Sequence, residues 1–145
     1  MRRLSRQAWV LAAAALLVAA TPLAAGAGKP AYGEVFFFST TDLMLAYSAT
    51  ANAWYPLNLE ASEMIRGGDF SGRVVVVATT ERILGFSSQT NAWACLEAIP
   101  NEEFLLVEAR DEVGVVITSK RSLGFSAATG EWAETDLNYK RGGGY

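Results

Sequence analysis

The chain has 145 residues, 51% of them hydrophobic, with a net charge of −3 and no histidine. Without histidine, the commonest general base, every triad built on it and the commonest metal ligand are excluded. Cys95 is the single cysteine, so no intrachain disulfide can form and a packed core must supply the stability.

The first residues combine a cationic stretch (Arg2, Arg3, Arg6), an apolar run from Ala8 to Ala20, Pro22, and the small residues Ala25-Gly26-Ala27. That is the three-part layout of a secretory signal peptide over residues 1–27, with cleavage before Gly28. The run is short for a membrane span, which needs ~20 apolar residues. An exported protein, periplasmic or secreted, is expected. Removing the three arginines takes the net charge from −3 to −6. So acidic a domain has no general attraction for nucleic acid or anionic lipid. Neither nucleic acid nor, after cleavage, a membrane is an expected partner.

Residues 28–138 read as one β-repeat domain, with units of about 34–59, 60–98 and 99–137. Three stretches align without a gap at a spacing of 39 residues: Glu34 to Leu59, Arg73 to Ala98 and Glu112 to Leu137. The second and third agree at 12 of 26 positions and the first and second at 9, so the first copy has diverged furthest. In the second copy, Val74–Val77 is apolar without alternation, which predicts a central strand covered on both faces. Asn52, Asn91 and Gly130 share one repeat position, and each tolerates the positive φ of a tight hairpin. Upstream of the third copy, Phe104 to Arg110 predicts a fourth strand, whereas its counterpart Met64 to Phe70 is weakened by Gly67 and Gly68. Before the first copy there is only Gly28 to Gly33. The fold class expected is all-β: three tandem antiparallel sheets, propeller-like, either partial or closed by dimerisation. The glycine-rich, basic residues 139–145 are expected to be a flexible tail.

Each copy carries an aromatic residue seven positions before a tryptophan: Tyr47/Trp54, Phe86/Trp93 and Phe125/Trp132. This spacing resembles that of kelch repeats, and the resemblance implies blade-like four-stranded sheets over nearly the whole mature chain. Where kelch repeats end their second strand with a glycine doublet, this chain has Thr40-Thr41, Thr79-Thr80 and Thr118-Ser119. Three blades leave two sheet edges to be covered, either by a homodimer forming a six-bladed ring or by an open, self-capped assembly.

No catalytic, metal or cofactor site is expected. The acids Glu102-Glu103 and Asp111-Glu112 read as solvated loop charges. The six paired aromatics read as repeat-core packing. Candidate binding residues are Glu81, Arg82, Lys120 and Arg121 at the hairpin tips, together with Tyr55, whose repeat equivalents are alanines. The function expected is a non-enzymatic exported module that binds or assembles with a protein partner. A glycan-binding, lectin-like propeller is the alternative, with a carboxylate-based hydrolase as a third class.

Overall fold

The structure, a computed structural model, describes residues 34–137. The signal-peptide expectation and the 139–145 tail lie outside those residues. Eleven strands form three antiparallel sheets. The first holds β1 (Val35–Ser39), β2 (Leu43–Ser48) and β3 (Ala53–Asn58). The second holds β4 (Ile65–Ser71), β5 (Val74–Thr79), β6 (Arg82–Ser87) and β7 (Ala92–Glu97). The third holds β8 (Phe104–Arg110), β9 (Val113–Thr118), β10 (Arg121–Ser126) and β11 (Glu131–Asp136). Each sheet is a meander in chain order, as short β-branched runs joined by tight turns dictate.

Alternate residues of a strand point to opposite faces, and in the middle sheet both faces are buried. Val75, Val77, Leu84 and Phe86 pack toward Val35, Met44 and Ala46 of the first sheet. Val74, Val76 and Ile83 pack toward Val116, Leu123 and Phe125 of the third. The unalternated valine run of β5 is the local record of this double burial, and all six of its residues are buried.

Asn52, Asn91 and Gly130 have φ of 49°, 52° and 67°, as their shared repeat position required. Two further repeated turns adopt the same conformation, at Ser62 and Asn101 and at Gly72 and Asp111. The glycines of β4 do not weaken it. It is a full seven-residue strand with a bulge between Ile65 and Gly67, matched in β8 by one between Phe104 and Leu106. A Cβ on Gly68 would lie 3.5 Å from the Val76 carbonyl and 3.7 Å from the Phe37 ring, ordinary contact distances, so the strand would accept a side-chain atom there.

The array is open. The first sheet packs on the second and the second on the third, and no fourth sheet covers either outward face among the described residues.

Candidate functional site

The hairpin tips are built on threonine. Thr79 Oγ1 accepts from the amides of Glu81 (3.2 Å) and Arg82 (2.8 Å), closing the β5–β6 turn. Thr118 Oγ1 does the same for Lys120 (3.1 Å) and Arg121 (3.0 Å), and Thr40 Oγ1 accepts from the Leu43 amide at 3.1 Å. A hydroxyl bonded to the backbone thus takes the place of backbone freedom at a turn.

Arg82 and Arg121 do not project from these tips. Arg82 turns inward, with Nε 3.0 Å from Glu63 Oε1 and Nη2 2.7 Å from Glu63 Oε2. The same Nη2 donates to the Asn58 carbonyl at the end of β3, 2.9 Å away. Arg121 repeats every contact 39 residues on: Nε to Glu102 Oε1 at 2.7 Å, Nη2 to Glu102 Oε2 at 3.1 Å, and Nη2 to the Glu97 carbonyl at the end of β7 at 2.7 Å. Glu63 also accepts from the Thr79 hydroxyl and the Glu60 amide, and Glu102 from the Thr118 hydroxyl and the Ile99 amide. Each clasp ties a hairpin to the last strand of the preceding sheet.

Glu102 is therefore no solvated loop charge: its side chain is 1% exposed. Bidentate pairing with a guanidinium is what lets a carboxylate be buried there. Burial alone would raise Glu63, yet the hydrogen bonds from Arg82, the Glu60 amide and Thr79 bring its carboxyl down to about 2. Glu102 is held low by the same balance, burial opposed by Arg121, the Ile99 amide and Thr118. The 39-residue spacing of Glu63 and Glu102, and the 19 residues from each to its arginine, are legible in the sequence once the repeat is extended upstream of Arg73.

The tryptophans form a second repeated link. Trp93 Nε1 donates to the Tyr55 carbonyl at 3.0 Å, and Trp132 Nε1 to the Ala94 carbonyl at 3.2 Å, each reaching back to the preceding sheet. Trp93 and Trp132 also stack at a tilt on Phe86 and Phe125, with centroids 5.3 and 5.0 Å apart. Tyr55 is half-buried against Phe86 at 5.2 Å and belongs to the core between the first two sheets.

Trp54 differs. It is 50% exposed and has no such acceptor among the described residues. It meets Tyr47 at 5.2 Å and the edge of Phe36 at 6.4 Å, and Phe36 in turn meets Phe70 at 5.4 Å. Phe36, Tyr47 and Trp54 thus make an aromatic surface on the outward face of the first sheet, with the half-exposed Phe38 on the same face of β1 and Phe70 of β4 at its edge.

Two other surfaces are concave. Between the second and third sheets, the tips border an open groove of about 650 Å³ lined by Arg66, Thr80, Glu81, Ile99, Glu103 and Phe104, among others. Glu81 is thus the sequence-predicted tip residue that does face a groove, while Lys120 Nζ donates to the Pro100 carbonyl at the groove's margin. The outward face of the third sheet carries two adjoining depressions that share Val113, one of about 680 Å³ along β8 and β9 and one of about 340 Å³ around Gly124, Ser126 and Ala133. Cys95 lies exposed on β7, and partial desolvation raises its thiol above the ordinary value despite the nearby Arg82. Among the described residues, no three Cys, Asp or Glu side chains gather in a way that could hold a metal ion.

Comparison with protein-family models gives no match, and neither does comparison with curated proteins. Among solved structures, the extracellular domain of BT4673 from B. thetaiotaomicron is similar at a TM-score of 0.39 and 11% identity, over 74% of this chain and 15% of that one.

Proposed function

We propose that this chain is an exported, non-enzymatic β-repeat module that binds or assembles with protein, and that it does so through the outward face of its first sheet. The observation carrying this reading is an aromatic surface in which Phe36 and Trp54, each about half exposed, are linked by ring contacts to each other, to Tyr47 and to Phe70, with the half-exposed Phe38 two residues along β1 on the same face. Contiguous apolar patches of this kind mark protein contact sites, and aromatic residues dominate the energetics of such contacts. Export is supported by the cationic, apolar and small-residue order of residues 1–27. A non-enzymatic role is supported by the buried carboxylates of Glu63 and Glu102, which are locked ionised in arginine clasps and so are unsuited to donate a proton. The units are read as kelch-like blades in which a threonine hydroxyl closes the hairpin where the glycine doublet would stand.

The test is a photoreactive residue placed at position 54 in the exporting cell. A crosslinked protein adduct is expected there, and a control at Trp132, which packs against the second sheet, should give none. Equal labelling from the two positions, or none from 54, overturns the reading.

A further inference from the structure

The two junctions inside the chain have the same parts, and the two ends of the chain carry the unmatched halves of a third. At the second junction the Phe125 ring lies where a Cβ on Gly85 would be, 2.6 Å from that position, and Trp132 donates to the Ala94 carbonyl. At the first junction Ala46 stands at the repeat position of Gly85, Phe86 at that of Phe125, and Trp93 donates to the Tyr55 carbonyl. On the outward face of the third sheet the corresponding small residue is Gly124, with nothing among the described residues within 4 Å of its Cβ position, and the corresponding carbonyl belongs to the exposed Ala133. On the outward face of the first sheet the corresponding aromatic pair is Tyr47 and Trp54, whose indole has no acceptor among the described residues.

We infer that a second copy of this chain docks head to tail, its Tyr47 ring over Gly124 and its Trp54 indole donating to the Ala133 carbonyl, so that the inter-sheet junction continues from one chain to the next. This deepens the proposed function by naming the occupant of the aromatic face. Such a contact is heterologous: it closes into a ring if the rotation per sheet permits, and otherwise extends. It is weaker than the internal junctions for stated reasons. The arginine of the clasp is replaced by Leu43, and the socket's outer half carries Ser122 and Thr135 where the second sheet has Ile83 and Leu96. Glu34 shares a repeat position with Arg73, which pairs with Glu112 at 3.0 Å. Between chains, Glu34 therefore faces Glu112, and added salt relieves that repulsion.

The exported chain is purified with reductant present, which removes any Cys95 crosslink, and its mass is followed by light scattering over a wide concentration range. Mass is expected to rise reversibly with concentration, more so at high salt. Gly124→Val, which fills open space on a strand, and Trp54→Ala should each move the midpoint to about tenfold higher concentration or more. Should Gly124→Val melt early, Val113→Lys on the same outward face replaces it. Mixing the Gly124→Val and Trp54→Ala chains should restore pairing at concentrations where neither pairs alone, because each retains the half the other lacks. A chain that stays monomeric throughout overturns the inference. So does association that Trp54→Ala abolishes but Gly124→Val leaves intact, since two first-sheet faces would then be pairing with each other. A monomer whose position 54 still crosslinks a different protein overturns head-to-tail docking and leaves the binding reading standing.

Discussion

Gly85 and Gly124 occupy the same position in successive sheets, yet one holds a phenylalanine ring against its backbone and the other faces open space. A Cβ added at Gly85 would lie 2.6–2.8 Å from three carbons of Phe125, and at Gly124 it would meet nothing within 4 Å among the described residues. The repeat is uniform in sequence here and asymmetric in environment, because only the inner sheet has a following neighbour.

Alanine at these two glycines should therefore act in opposite directions. Gly85→Ala forces Phe125 out of place and should cost about 1–3 kcal/mol, as overpacking of a filled core does. Gly124→Ala should be neutral or stabilising by about 0.5–1 kcal/mol, since alanine loses less entropy than glycine in a strand. Urea unfolding of the two variants under conditions that keep the chain monomeric measures both.

The arginine clasps predict a large single-site cost and a smaller double-site cost. Arg121→Ala leaves the Glu102 carboxylate buried and unpaired, which should cost about 3–5 kcal/mol. Replacing both partners, as Arg121→Met with Glu102→Gln, removes the stranded charge and should recover much of that loss. A double-mutant cycle by denaturant unfolding reports the coupling.

Acid should destabilise the fold through the same clasps. The Glu63 carboxyl is depressed to about 2 in the folded chain, whereas an unfolded glutamate titrates near ~4.3. A depressed carboxylate contributes its stability above the unfolded value and loses it as pH falls through the folded one, so the loss should run from about pH 4.5 to about pH 2. The amount is of order 3 kcal/mol for Glu63. Glu102 adds in the same direction. Stability measured against pH should flatten across this window in Glu63→Gln, and an unchanged slope would show that other acids control it.

The equivalent tryptophans should separate by stability. Trp93→Ala removes a packed indole and its bond to the Tyr55 carbonyl and should cost roughly 3 kcal/mol. Trp54→Ala, at a half-exposed position, should cost less than about 1 kcal/mol in the monomer. Thermal melts of the two, at concentrations below any association, check the difference.

The turn at Asn91, with φ of 52°, predicts a conformational cost for any residue with a Cβ and no local hydrogen bonding. Asn91→Ala should lose about 1–2 kcal/mol and Asn91→Gly much less. The same pair of changes at Asn52, in the same turn of the first sheet, should reproduce the order.

The number of sheets, the strands of each copy and the turn positions were legible in the chain itself, because a 39-residue period repeats local requirements. An unalternated valine run demands two covered faces, and an asparagine or glycine at one fixed place demands a left-handed residue. The β4 strand was under-read because glycine lowers strand propensity, while ladder pairing with the valine-rich β5 holds it as a strand. What only the tertiary structure decided is which copy of a repeated residue has a neighbour. Arg82 and Arg121 read as free tips, and Glu102 as a solvated acid, because their pairing across 19 residues shows only when the repeat is extended upstream of Arg73 and not in any local pattern. Trp54, Trp93 and Trp132 are interchangeable by spacing. The stacking order buries two of them against the sheet before and leaves the first, with nothing before it among the described residues, as the aromatic face on which the proposed function rests.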